Sequence, residues 1–165
     1  MLVANVIMGL IQLVIAILFS VVALYIGFMV LGWITKDIDE RKELAKGNVA
    51  VGILVASVFV AIALVVQSGV SGLSVGISKA MSYGLTSDGI LTIVVALIQL
   101  ILGIVLAIAG IYLALNILDR LTKGIEEFEE LKKGNVAVAL EMAGVIIAVA
   151  VIIQSGVIGI TASIV

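Results

Sequence analysis

A chain of 165 residues, 64% hydrophobic and 12% charged, with a mean hydropathy of +1.42, carries more apolar surface than a water-soluble fold of this size can bury. Lipid is the solvent that suits it. Cysteine and histidine are both absent, which excludes disulfides, thiolate or imidazole metal sites and the usual nucleophile–base pairs, and a net charge of −2 without a basic stripe argues against nucleic acid.

The chain opens on Met1-Leu2-Val3-Ala4-Asn5 with no basic segment, and its apolar run continues to Trp33. That is too long for a secretory leader, so a retained first helix is expected. The first span covers Ala4–Ile34, longer than the roughly 20 residues that cross a bilayer, and should tilt or project. Small or polar residues mark one face of it: Asn5, Gly9, Gln12, Ala16, Ser20, Ala23 and Gly27. Such a stripe lets helices approach closely where lipid supplies no hydrophobic drive.

A charged segment follows, with Lys36, Arg41, Lys42 and Lys46, and ends at Gly47-Asn48. Glycine suits the left-handed position that closes a short helix, and asparagine can N-cap the next one. The second span runs Val49–Gln67 with a stripe of Ala50, Leu54, Ser57, Ala61 and Ser68. The Gly- and Ser-rich stretch Ser68–Ser78 either continues this helix or bends along the interface, and Lys79 belongs to the connection between hairpins. The third span, Ile90–Leu118, carries Thr92, Ala96, Gln99, Gly103, Ala107, Gly110 and Ala114 on one face.

The next charged segment holds Arg120, Lys123, Lys132 and Lys133, with Leu121, Ile125, Phe128 and Leu131 at helical spacing opposite Glu126, Glu129 and Glu130. Asp37–Arg41 and Glu129–Lys133 are i,i+4 charge pairs. After Gly134-Asn135 comes the fourth span, Val136–Gln154, then Ser155–Val165. Its stripe is Ala137, Glu141, Gly144, Ala148 and Ser155. Glu141 is the one formal charge inside a span, at an insertion cost on the order of 2–3.5 kcal/mol, and should face protein.

Self-similarity organises all of this. Lys46-Gly47-Asn48-Val49-Ala50-Val51 recurs 87 residues later as Lys133-Gly134-Asn135-Val136-Ala137-Val138. The same offset relates Gln67-Ser68-Gly69-Val70 to Gln154-Ser155-Gly156-Val157, Ile11-Gln12-Leu13 to Ile98-Gln99-Leu100, and Thr35-Lys36 to Thr122-Lys123. The expected fold is all-α: a polytopic membrane protein of four transmembrane helices in two tandem hairpins, 1–78 and 79–165, related by a parallel pseudo-two-fold. Lys and Arg cluster in the two charged segments, which places them in the cytoplasm and both termini outside.

With its doubled Lys-Gly-Asn-Val-Ala element, the chain resembles domain-of-unknown-function family 350, the YjfL-like small integral membrane proteins of bacteria. The resemblance implies a duplicated two-helix hairpin and no particular activity. Duplicated rotor proteolipids of vacuolar-type ATPases share the outline of four helices and one acid in the fourth, but the first span here lacks their dense glycine repeat. No phosphate-binding loop, dinucleotide fingerprint or potassium-filter signature occurs.

These observations point away from an enzyme and from any metal or cofactor. The expected role is a self-associating structural or scaffolding element of the cell membrane, a homo-oligomer in the lipid bilayer. A candidate cytoplasmic partner would dock at 35–48 and 119–135. The alternative is a proton or cation pathway, a channel or rotor-like subunit, centred on Glu141. Gln12, Gln99, Gln67 and Gln154 are the helix-packing polar positions, with Gln12 and Gln99 placed to bond across the pseudo-two-fold. Gly47, Asn48, Gly134 and Asn135 form the hairpin corners.

Overall fold

The computed structural model describes residues 2–35, 38–83, 86–122 and 126–164. Lys36, Asp37, Lys123 and Ile125, and with them the expected Asp37–Arg41 pair, lie outside these residues. Six helices follow in order: α1 (Leu2–Ile34), α2 (Glu40–Ala45), α3 (Val49–Tyr83), α4 (Ser87–Leu121), α5 (Glu127–Lys132) and α6 (Val136–Ile164). The four long ones are each long and apolar enough to cross a membrane. Only a structure that satisfies its own backbone can do so in hydrocarbon, and a proline-free apolar run meets that demand as helix.

The Gly- and Ser-rich stretches continue the helices and do not bend away. Their hydroxyls fold back onto the preceding turn: Ser68 donates to the Val65 carbonyl at 2.7 Å, Ser71 to Gln67 at 2.9 Å, Ser78 to Ser74 at 2.9 Å and Ser155 to Val151 at 2.9 Å. A serine satisfied in this way costs little in an apolar helix. Lys79, expected in the connection between hairpins, therefore lies in α3. With 35 residues and a rise of 1.5 Å each, α3 is ~50 Å long, well beyond a hydrocarbon core of about 30 Å.

α3 is the central element. It packs against α1, α4 and α6, while α4 also packs against α6. The core gathers Leu31 of α1, Leu54, Ile62 and Val65 of α3, Ile111 of α4, and Met142 and Ile146 of α6. Small residues set the approach. Ile62 of α3 fills the space that a side chain at Gly27 of α1 would take, and Ile153 of α6 does the same at Gly110 of α4. At Gly69, an added Cβ would stand 3.2 Å from the Leu100 Cα, so backbone meets backbone there.

Within each hairpin the packing repeats, α1 on α3 and α4 on α6. Between hairpins α3 packs on its own counterpart α6 and also on α4. The broad contact of α3 with α4 has no comparable contact of α6 with α1.

Candidate functional site

The charged corners are built twice to one plan. Asp39 opens α2, its side chain accepting the Lys42 amide at 3.1 Å. The helix ends in the left-handed region at Gly47, φ 79°, and α5 ends likewise at Gly134, φ 81°. The Gly47 and Asn48 amides donate to the Leu44 and Glu43 carbonyls, both at 3.0 Å, and Gly134 and Asn135 repeat this on Leu131 and Glu130 at 3.0 and 2.9 Å. This double bond pattern closes a helix and leaves no carbonyl stranded.

Each asparagine then starts the next helix. Asn48 Oδ1 accepts from Ala50 and Val51 at 3.1 and 3.3 Å, and Asn135 Oδ1 from Ala137 and Val138 at 3.1 and 3.4 Å. Their amide groups reach back, Asn48 to Glu43 at 3.0 Å and Asn135 to Glu130 at 2.8 Å. Lys46 and Lys133 bind the same carboxylates, at 2.7 and 2.8 Å. The asparagine bond first, then the lysine, holds Glu43 and Glu130 below the ordinary carboxylate range. The charge pairs of α5 are Glu129–Lys132 and Glu130–Lys133, three apart and not the four expected for Glu129–Lys133, because Lys133 sits at the C-cap.

Asn48 ties the corners together. Its amide group also donates to the Leu131 carbonyl at 2.9 Å, across 83 residues of chain, and to that of Lys132 at 3.4 Å. Asn135 makes its bond only to its own Glu130 among the described residues. The difference extends to side chains, since Leu131 is fully buried and its counterpart Leu44 is 40% exposed.

A second duplicated feature is not evident from composition. Glu40 and Glu127 are buried, and each is hydrogen-bonded to the threonine five residues earlier, Thr35 and Thr122. Each threonine also lies within reach of a carbonyl of the preceding long helix, Leu31 at 2.8 Å and Leu118 at 2.9 Å. The pairs fasten the short helices to the ends of α1 and α4. The signal was their invariance under the 87-residue offset, while neighbours changed from Arg41 to Phe128 and from Lys42 to Glu129. Arg41 compensates locally by lying over the Phe28 ring of α1, 5.9 Å from its centroid.

Inside the spans the glutamines take separate roles. Gln12 and Gln99 do not bond to each other. Gln12 accepts from Ser74 of α3 at 2.9 Å, and the buried Gln99 Nε2 has no partner among the described residues. Gln67 lines a crevice between α1 and α3 with Ser20 and Ser71, and Gln154 is half-buried.

The stripe residues divide by helix. On α3, Ala50, Leu54, Ser57, Ala61 and Ser68 are all buried. On α6, Ala137, Glu141, Gly144, Ala148 and Ser155 are all exposed. Glu141, expected to face protein, points away from α3 and α4, because the buried face of α6 is the one carrying Val138, Ala139, Met142, Ile146 and Ala150.

The profile of the Domain of Unknown Function (DUF350) family matches residues 5–103 and 90–165, two overlapping segments that together span the chain. The chain belongs to the DUF350 family. No curated protein and no solved structure matches it.

The corners of this DUF350 member are structural joints: their hydrogen bonds end one helix, begin the next, and at Asn48 join one corner to the other. What the arrangement offers chemically is a rigid, charged surface at one end of an apolar bundle. Along the bundle it offers an α6 face of small residues with a single carboxylate.

Proposed function

We propose that this DUF350 member is a non-enzymatic structural or scaffolding element of the cell membrane that self-associates. The observation that carries it is the exposed α6 face, where Ala137, Gly144, Ala148 and Gly156 have the composition of a helix–helix contact and a Cβ at either glycine would meet nothing within 4 Å. In lipid, small residues at such spacing favour a partner helix over acyl chains, because backbones can approach closely. The Lys and Arg content of the corners supports a cytoplasmic position for 35–48 and 119–135, with both termini outside. Their i,i+3 ion pairs and buried Thr–Glu anchors make these segments firm enough to present a docking surface to a cytoplasmic protein.

The competing reading is a proton or cation pathway, a channel or rotor-like subunit, centred on Glu141. A route through the bundle would need the carboxylate on the face of α6 that meets α3 and α4, and it is on the other. Proton and cation flux in proteoliposomes, comparing the native chain with Glu141→Gln, tests this directly. The expected result is no flux from either protein, together with an oligomeric mass by light scattering. Flux that the substitution abolishes would overturn the scaffold and make Glu141 the centre of a pathway.

A further inference from the structure

Besides the contact of α3 with its counterpart α6, the two hairpins share a heterologous one, in which α3 meets α4 and α5. Its first component is Gly69 and Gly76 of α3, its second the Asn48 amide group. Across from them stand Leu100 and Ala96 of α4, the buried Leu131 of α5, and the Leu131 carbonyl that accepts from Asn48. Because the chain is a tandem repeat, each of these surfaces exists a second time, 87 residues away, and among the described residues the second copies lack these contacts.

The counterparts match one by one. Gly69, pressed against Leu100, corresponds to Gly156, which has nothing within 4 Å. Leu100, 1% exposed, corresponds to Leu13, 55% exposed. Ala96, which lies 2.9 Å from where a Cβ at Gly76 would be, corresponds to Gly9, again with nothing within 4 Å. Leu131 corresponds to the exposed Leu44, and Asn48 to Asn135, which lacks the cross-hairpin bond. The unmatched surfaces are not a small-residue stripe alone. They are the two halves of an interface whose assembled form is visible inside the same molecule.

We infer that the α6 face of one copy packs against the α1–α2 corner of a second copy of this chain, in the arrangement that α3 adopts on α4 and α5 within one chain. The inference rests on the self-association proposed above and gives it a direction. The contact is head-to-tail, so each copy has one surface of each kind and assembly proceeds by rotation into a ring or by extension into a row. Membrane insertion permits this, since both hairpins run the same way through the bilayer in the topology proposed above.

The absence of cysteine makes the test clean. Gly69→Cys with Leu100→Cys is the internal control, because a Cβ at residue 69 lies 3.3 Å from the Leu100 Cβ, close to the roughly 3.5–4.5 Å of a disulfide. The intermolecular pair is Leu13→Cys on one tagged copy and Gly156→Cys on a differently tagged copy, co-expressed and oxidised in the membrane. Head-to-tail packing yields a mixed cross-linked dimer, and neither single variant cross-links with itself. Self-cross-linking of either variant, or oligomers by light scattering without any mixed product, would overturn the head-to-tail geometry and leave self-association standing. A monomer throughout, with the internal control cross-linked, would overturn both. Gly156→Leu adds a further readout: the side chain has room in the single chain, so the fold should persist while the oligomer dissociates.

Discussion

On α3, Leu54 is sealed inside the protein and Gly69 lies against the backbone of α4, whereas on α6 their counterparts Glu141 and Gly156 face outward. The two helices share a sequence pattern, a capping asparagine and a corner glycine. What separates them is their neighbours, because α3 packs against α1, α4 and α6 whereas α6 packs against α3 and α4. Burial here is a property of neighbours, and similar sequences reach unequal environments.

The sharpest way to break the comparison is to add bulk at the paired glycines. Gly69→Leu should destabilise the chain by about 3 kcal/mol, the upper end for overpacking, since the Leu100 backbone at 3.2 Å cannot step aside. Gly156→Leu should leave the monomer within about 0.5 kcal/mol of native. Unfolding in mixed micelles followed by circular dichroism measures both, and equal losses would show that α6 is as enclosed as α3.

Truncation asks the same question of the stripe. Leu54→Ala should cost about 2 kcal/mol, the low end for a buried leucine, because the removed methyls trade packing for lipid and not for water. Glu141→Ala should change the monomer by less than about 0.5 kcal/mol. Glu141→Leu installs the residue that the first repeat holds at this place and should shift the oligomer equilibrium toward assembly, measured by dilution in detergent.

At the corners the gap narrows. Either asparagine-to-alanine change loses a cap, at about 1 kcal/mol. Asn48→Ala should cost about 1 kcal/mol more than Asn135→Ala, through the lost bond to Leu131. Equal costs would mean that the bond between hairpins contributes nothing.

The smallest effect is in pH. Glu43 and Glu130 are depressed by their asparagine and lysine partners, so the stability they contribute is present above the ordinary carboxylate range and is lost as pH falls through and below it. Both are surface groups and the change should be slight. Glu43→Gln with Glu130→Gln should flatten the acid limb of the stability profile, and an unchanged limb would place its origin elsewhere.

Much of the fold was legible because hydrocarbon imposes few choices. Apolar length identified the four spans, and the 87-residue offset identified the hairpins. The Gly-Asn pair marked the corners, since a residue in the left-handed region followed by a cap has a narrow chemical identity. The candidate site was less so. A stripe of small residues announces a contact and is silent about the partner, which is why Glu141 was expected inside and lies outside. Glu40 and Glu127 were hidden among solvated charges, since burial of an acid beside threonine leaves no trace in composition. Gln12 meets Ser74 and not Gln99, a pairing set by how α1 leans on α3, which no single-helix pattern encodes.

The corner also acts as a phase lock. Gly47 ends one helix and Asn48 begins the next with no residue to spare between them. An α-helix turns about 100° per residue, so one residue inserted at that junction would rotate all of α3 by that angle relative to α2. Val55, Ile62 and Val66 would swing from the core to the exposed places that Ala56, Ala63 and Gln67 hold, and every contact downstream would mesh on the wrong tooth. In α6 the same insertion after Gly134 would turn the outward face inward. The two glycine–asparagine joints are thus the timing marks of the molecule, deciding which side of each long helix meets protein.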